Sequence, residues 1–397
     1  MNNSQGFSAN CRKLQISTIS NSAKRNQKSE TRNLEVKTSQ TITKPLNSST
    51  FQLVNSSTSP MKRLLVLLSF FPALLFAQNT FRVMEYNVEN LFDTQHDTLK
   101  HDDEYLPGGV RGWGYGRYQQ KITHIGQVVA AVGEWNPPSL IALCEIENGH
   151  CLLDLVRYSH LQQLNYQIIH YESNDARGVD VALLYQPNFF TPIASKPIRF
   201  TLPSGKATRD ILYACGSLPS GDTLHVFVNH FPSRLGGELE SEPNRLFVAG
   251  QLRAAVDSVQ RTDSAALILI MGDFNDYPDN RSMRQVLGAA PVTDTIAPNQ
   301  LYNLTYALHE RGEIGSYRHD GQWGMLDQIV VSGALLVGAK RTTITGDGVR
   351  VFAPDGLLED DKPLGKKPFR TYIGLKFNGG YSDHLPVFFD FTFSDAN

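Results

Sequence analysis

The chain has 397 residues, 41% of them hydrophobic and 19% charged, and its formal net charge of -2 hides two opposite parts. Residues 1–77 carry 10 Lys and Arg against 2 Asp and Glu, whereas the remaining 320 residues carry 27 against 37. The acidity of the larger part excludes a generally basic coat for nucleic acid, though not a local basic patch, and the composition excludes collagen-like, coiled-coil and disulfide-scaffold classes.

Residues 2–60 are rich in Ser, Thr, Asn, Gln and Lys and show almost no apolar periodicity. Such a stretch cannot bury enough surface to offset its ordering entropy, so 1–60 reads as a disordered or mis-called upstream segment. Met61-Lys62-Arg63, the apolar run Leu64 to Ala77, and Gln78 then read as a signal peptide over 61–77 with cleavage after Ala77. The run is shorter than the roughly 20 residues that span a bilayer as a helix, so no stable membrane anchor is expected. The expected location is periplasmic or extracellular. Export implies an oxidising compartment, yet the mature part holds only Cys144, Cys151 and Cys215, an odd count without metal-like spacing. Cys144 lies in an apolar strand, where a buried free thiol is the simpler reading.

Residues 78–397 form the domain proper. Strands are expected at 81–88, 139–145, 166–171, 179–185, 211–216, 224–229, 265–271, 327–331 and 386–393, each short, β-branched or aromatic, and bounded by turn residues. Helices are expected at 118–132, with Ile122, Ile125, Val128, Val129 and Val132 on one face, and at 243–259, started by Ser241. Strands dominate, and many follow one another with no helix between. That favours two mixed sheets packed face to face with helices outside.

Polar residues gather at the ends of the apolar strands. The first strand closes with Glu85-Tyr86-Asn87-Val88-Glu89-Asn90, where alternation puts Glu85, Asn87 and Glu89 on one face. The strand 139–145 ends in Cys144-Glu145-Ile146-Glu147. A carboxylate after a buried run is costly without a positive partner, and a hard divalent cation is one; Glu147 better fits a solvated strand end. The strand 265–271 runs into Gly272-Asp273-Phe274-Asn275-Asp276, an acceptor for a water proton beside an amide donor. Asp276 or Asp279 reads as a turn or cap residue. Asn229-His230 ends another strand, Asp327 opens one, and Ser382-Asp383-His384 leads into the last. A carboxylate on one imidazole nitrogen would fix the ring's tautomer and favour its charged form.

In this order, Asn87, Glu145, Arg177 to Asp180, His230, Asp273 with Asn275, Asp327, and Asp383 with His384, the chain resembles the endonuclease/exonuclease/phosphatase family, the deoxyribonuclease I-like phosphoesterases. The resemblance covers residues 81–394. It implies a four-layer α/β sandwich, two packed mixed β-sheets flanked by helices. It also implies a divalent metal, Mg²⁺ or Mn²⁺, at Glu145 with Asn87 and Asp383 nearby. Asp273 would orient or deprotonate the attacking water and Asn275 would hold it or the phosphate. His384, steadied by Asp327, would stabilise the phosphoryl oxygens, and His230 would face the phosphate from the other side. One departure is Cys144, where the family often has Gln.

No Ser-centred nucleophile elbow and no Lys-Ser/Thr phosphate loop occur, so water is the expected nucleophile. The leading expectation is a monomeric nuclease acting on DNA or RNA. The alternatives are a phosphoesterase of the same fold acting on a lipid head group, inositol phosphate or nucleotide, and an inactive binding module. Tyr317, Arg318 and Trp323 form a candidate aromatic-basic loop for nucleic acid, with Arg177 and Asp180 as further substrate contacts; Arg111, Trp113, Tyr115, Arg117 and Tyr118 form a second such stretch. No clear exposed apolar hairpin, which would suggest a lipid substrate, is evident in the sequence.

Overall fold

The computed structural model describes residues 80–344 and 348–393. The expectations for residues 1–60 and for the signal at 61–77 lie outside these residues. In chain order the strands are β1 (Thr80–Leu91), β2 (Leu140–Ile146), β3 (Gln167–His170), β4 (Asp180–Tyr185), β5 (Thr191–Ile198), β6 (Ile211–Ser217), β7 (Thr223–His230), β8 (Leu267–Asp273), β9 (Ala289–Pro291) and β10 (Leu301–Asn303). They continue with β11 (Tyr317–His319), β12 (Gln322–Gly324), β13 (Asp327–Ser332), β14 (Thr342–Ile344), β15 (Arg350–Val351), β16 (Leu358–Asp361), β17 (Gly365–Pro368), β18 (Tyr372–Ile373), β19 (Lys376–Phe377) and β20 (Val387–Phe393).

Two seven-stranded mixed sheets carry the fold. The first runs β14-β20-β1-β2-β4-β3 with β15 also paired to β20; the second runs β5-β6-β7-β8-β13-β10-β9. Each has a parallel pair at its centre, β1 with β2 and β7 with β8. Period-two alternation sorts their side chains. Phe81 and Val83, Leu140, Ala142 and Cys144, Leu224, Val226 and Val228, and Leu267, Leu269 and Met271 form one buried cluster between the sheets. The opposite faces meet helices. Met84, Tyr86, Ile141 and Leu143 pack on Ile122, Ile125 and Val129 of the helix Tyr115–Gly133 and on Leu152 and Leu155 of the helix Gly149–Tyr158. Phe227, Ile268 and Ile270 pack on Val248, Leu252 and Val256 of the helix Glu238–Thr262. The expected four layers are present.

Several local expectations need correction. The last of these helices begins at Glu238, not at Pro243, and Ser241 does not cap it: its hydroxyl donates back to the Gly237 carbonyl at 2.5 Å and accepts from Arg245 Nη1 at 2.7 Å. The helix Gly149–Tyr158, not foreseen, is capped by Asn148, whose Oδ1 accepts from the Cys151 N–H at 2.9 Å. Strand β5 was hidden by Pro192 and Pro197; it lies at a sheet edge, where a missing donor is tolerated. Cys144 is buried and outside any disulfide, as expected, and Cys151 and Cys215 are also buried and not disulfide-bonded.

Candidate functional site

The inter-sheet layer is apolar along most of its length and polar at one end. The alternation that places Val83 in the core places Glu85 and Asn87 beyond it on β1. The same rule carries β7 from Val228 to His230, β8 from Met271 to Asp273, and β13 from Ile329 back to Asp327. Register completes the cluster: His230 lies beside Asp273 across β7 and β8, and Asp327 beside Asp273 across β8 and β13. Gly272 allows this close approach. Its φ is +142°, and a Cβ there would fall 1.9 Å from the Asn229 carbonyl oxygen.

Glu145 departs from simple alternation. A bulge interrupts the pairing of β2 with β4 between Cys144 and Ile146, and Glu145 has φ +66°. Left-handed backbone is uncommon for such a residue, and bulges commonly re-aim a side chain beside active sites. Glu89, Asn90 and Asn275 are left-handed too, with φ of 53°, 56° and 49°. Glu85, Asn87 and Glu89 therefore do not share one face, and neither do Glu145 and Glu147. Glu147 is not a solvated strand end: it is buried, accepts from the Asp93 N–H at 2.6 Å, and burial pushes it up to about 8.

The hydrogen bonds centre on Asp273. Its Oδ2 accepts from Asn87 Nδ2 at 3.0 Å and Asn275 Nδ2 at 3.3 Å, and its Oδ1 accepts from the Asn275 N–H at 2.8 Å. Two imidazoles converge on Oδ2, His230 Nε2 at 3.7 Å and His384 Nε2 at 4.0 Å. His384 Nδ1 is 2.6 Å from Asp327 Oδ2, and the Ser382 hydroxyl, which donates to the Asn87 carbonyl at 2.7 Å, accepts from the His384 N–H at 3.1 Å. Tyr317 lies against the His384 ring with centroids 4.8 Å apart.

The two histidines are in different charge states. Burial alone would lower His384, but Asp327, with Asp273 and Asp383, holds it well above its ordinary value, so the ring is an imidazolium. Burial, with Arg209 and Arg177 nearby, holds His230 well below its ordinary value, so it is neutral. Burial, reinforced by Asp327 and opposed by His384, pushes Asp273 up to about 7. Behind this pair, burial and the charges of Asp327 and Asp273 keep Glu85 protonated, and its carboxyl hydrogen-bonds with Asp327.

The remaining sequence candidates divide. Arg177 reaches the site edge and donates to Asn90 Oδ1. Asp180 is engaged with its own strand neighbours: its buried carboxylate lies 3.2 Å from His170 Nε2 and accepts from the Ser173 N–H at 2.9 Å. The Arg318 guanidinium donates to the carbonyls of Gly321, Leu364 and Lys366 and lies over the Trp323 ring, so it ties the β11–β12 hairpin to the β16–β17 hairpin. Of the second stretch, Trp113 is buried, with its indole N–H donating to the Phe92 carbonyl at 2.9 Å, and Tyr118 is buried in the helical layer. Asp276 is no turn cap: it pairs with the buried Arg245 at 2.6 Å.

Sequence reasoning missed Arg370. Its Nη2 donates to Asp383 Oδ2 at 2.8 Å and its Nε to Glu89 Oε1 at 3.4 Å. Glu89 also accepts from the Thr371 N–H at 2.6 Å, and burial and Asp383 push it up to about 7. No motif flags Arg370, because it sits in an irregular connection. The expectation of no exposed apolar hairpin also fails: the β18–β19 tip shows Ile373 46% and Leu375 58% exposed.

The donor set fits a hard divalent cation. Glu145 Oε2 accepts from the Asn90 N–H at 2.9 Å, but its Oε1 has only His230, 4.0 Å away. The two carboxylates pushed up to about 7, Asp273 and Glu89, show an excess of buried negative charge that a cation would relieve. Asp273, Asp327 and His384 also bring ligand atoms within 4.8 Å of one another, although His384 Nδ1 is already held by Asp327.

A family model described as the endonuclease/exonuclease/phosphatase family matches residues 82–392. The chain belongs to this family. Its members hydrolyse phosphoester bonds and use divalent metals. Among solved structures, an endonuclease/exonuclease/phosphatase family protein from Bacteroides thetaiotaomicron is 16% identical, with a TM-score of 0.51, over 80% of this chain and 99% of that one. TDP2 of D. rerio, in complex with a single-strand DNA product, is 14% identical with a TM-score of 0.48, over 79% and 99%. The human Nocturnin catalytic domain with bound sulfate is 17% identical with a TM-score of 0.47, over 80% and 96%. No curated protein matches the sequence. At these identities the likeness is one of fold, and it is the family's two-sheet fold that the chain shares.

Proposed function

We propose that this protein is an exported, divalent-cation-dependent phosphodiesterase that uses water as its nucleophile, and that its substrates are nucleic acids. The observation that carries the reaction class is the convergence of the His230 and His384 imidazoles on Asp273 Oδ2, at 3.7 and 4.0 Å.

In this reading Asp273, ionised, takes a proton from the attacking water. Asn87 and Asn275 fix its oxygens, so little reorganisation is needed at the moment of attack. The water oxygen bonds to phosphorus and the bond to the leaving oxygen breaks. His384, an imidazolium pinned by Asp327, offers its Nε2 proton to the phosphoryl or leaving oxygen as negative charge grows there. His230, neutral, offers a hydrogen bond without adding charge. Glu145 would hold the cation, with Asp383 and Asn87 as the further ligands that the family resemblance implies. When bound, that ion would withdraw charge from a phosphoryl oxygen.

The nuclease reading draws on Tyr317, an aromatic ring that lies against His384 at the site and can stack on a base. A specific observation favours a second reading, a phospholipid head group: the apolar β18–β19 tip beside the site, with Leu364 also exposed. Among the described residues no helix is long and apolar enough to cross a membrane. One panel with Mg²⁺ or Mn²⁺ separates the readings: plasmid DNA, RNA, a bis-aryl phosphodiester, an inositol phosphate and sphingomyelin vesicles. Turnover confined to the vesicles would sink the nuclease reading. Export is supported by the 61–77 pattern, and N-terminal sequencing of native protein should find a start near Gln78.

A further inference from the structure

A cavity of about 320 Å³ opens beside the catalytic residues, lined among others by Tyr317, Asp361, Lys367, Arg370 and Ile373. It is at the lower end of the roughly 300–1,000 Å³ of ligand pockets. Two residues join it to the site: Tyr317, whose ring lies on His384, and Arg370, whose Nη2 holds Asp383.

Arg370 is oriented on one side only. Glu89 and Asp383 take its Nε and Nη2, and Thr371 anchors Glu89 in turn. Its Nη1 makes no protein hydrogen bond among the described residues, and the side chain is 38% exposed. Lys367 Nζ lies 3.2 Å from Asp361 Oδ1 with about a third of its side chain exposed. Arg318, tied to three carbonyls, stiffens the wall between the two hairpins. Asp361 and Asp320 also line the cavity, so it offers no strong positive field. It offers placed donors instead: a guanidinium held by a fixed pair of carboxylates and an ammonium on a tethered hairpin, the pairing that suits phosphate oxygens.

We infer that this cavity is a subsite for the phosphate neighbouring the scissile linkage, so that the preferred substrate is a polynucleotide and not an isolated phosphodiester. The inference rests on the nuclease reading and narrows it. A lipid head group, with a single phosphodiester, would leave Lys367 and Arg370 without a ligand.

Trithymidylate provides the test, with a divalent cation present and products resolved by chromatography. In two modified trimers one linkage is an uncharged methylphosphonate, placed on either side of the cleavable phosphodiester. For one placement, wild-type kcat/KM should fall roughly tenfold or more against cleavage of the same linkage in the all-phosphodiester trimer, the scale of losing a charge-assisted hydrogen bond. In Lys367→Gln and in Arg370→Gln that ratio should shrink toward one. Lys367 sits on a surface hairpin, so its variant stands even if removing Arg370 from two carboxylates impairs folding. A wild-type ratio near one for both placements overturns the subsite and leaves the nuclease reading intact. A ratio that survives in both variants overturns the assignment to this cavity. Hydrolysis of bis(4-nitrophenyl) phosphate with no cleavage of any thymidylate trimer or of the corresponding uridylate trimers overturns the nuclease reading and the subsite together.

Discussion

Asp327 Oδ2 lies 2.6 Å from His384 Nδ1, and the same aspartate is the register neighbour of Asp273 across β13 and β8. One carboxylate thus fixes the charge and orientation of the imidazole and sits beside the base that the imidazole faces. A positioned acid–base pair of this kind contributes about a hundredfold or more to rate. Asp273→Asn and His384→Ala should each lower turnover by at least that factor. Their stabilities should differ. Asp273→Asn removes a buried charge and keeps the melting temperature, whereas His384→Ala strands the buried Asp327 and lowers it. Wild-type turnover in either variant would contradict the role given to that residue.

The pH profile follows from the two charge states. Asp273 must be ionised, and burial pushes it up to about 7, so activity should rise with pH through an acid limb at or below that value. A bound cation moves that limb lower. The imidazolium of His384 must persist, and Asp327 holds it well above the ordinary value, so the basic limb lies on the alkaline side. Asp327→Asn keeps the shape and removes the charge. Its basic limb should therefore move toward neutrality while the acid limb does not move upward. A basic limb unmoved in kcat against pH would show that another group sets it.

Glu145→Gln tests the cation. The bulge and the φ of +66° present its Oε1 to the site without a hydrogen bond from the chain. Titration calorimetry with Mn²⁺ should show binding by wild type and at least about tenfold weaker binding by the variant, the range for losing one charged ligand contact. Activity should vanish in excess chelator and return with Mg²⁺ or Mn²⁺. Full activity in chelator would remove the cation from the reading.

Most of this site was legible because the same period-two rule that fills the inter-sheet core runs on into Asn87, His230, Asp273 and Asp327. A polar residue in register with a buried run is conspicuous in a sequence. Arg370 was not legible, because an arginine in a 20-residue stretch of short hairpins has no periodicity to break, and Glu89 was placed on the wrong face because its left-handed backbone breaks the alternation. Glu147 was misjudged because its desolvation depends on Asp93, 54 positions away, folding over it. Strand β5 was lost to its prolines, whose cost depends on a sheet position that sequence alone does not show.

His225 provides a stability test remote from the site. Its Nδ1 is 2.9 Å from the Tyr213 hydroxyl, and burial, with Lys340 nearby, holds it down to about 4. Unfolded, it titrates near 6.5. Between those values the unfolded chain binds more protons, so the His225 contribution to stability is fully present above pH 6.5 and is lost as pH falls toward 4. Its size is about 3 kcal/mol at most. In His225→Gln, which can still accept from Tyr213, the melting temperature should fall less steeply over this window than in wild type. Parallel curves would show that His225 keeps an ordinary pKa in the folded state.

Arg318 decides whether the β11–β12 hairpin is held by its own side chains or awaits a substrate. Its guanidinium spends its donors on the carbonyls of Gly321, Leu364 and Lys366 and covers Trp323. Hydrogen bonds to a charged group contribute about 1.5–3 kcal/mol each and less where solvent competes, as at these exposed carbonyls, and their loss would free β16 and β17 from β11. Arg318→Ala should therefore raise amide exchange in residues 358–368 and lower the melting temperature slightly. Nucleic-acid turnover should fall through a loosened wall, with the salt dependence keeping its slope, because no phosphate contact has been removed. A flattened slope with unchanged exchange in 358–368 would mean that Arg318 leaves its carbonyls to meet a phosphate, and the hairpin would then be a substrate arm and not a brace.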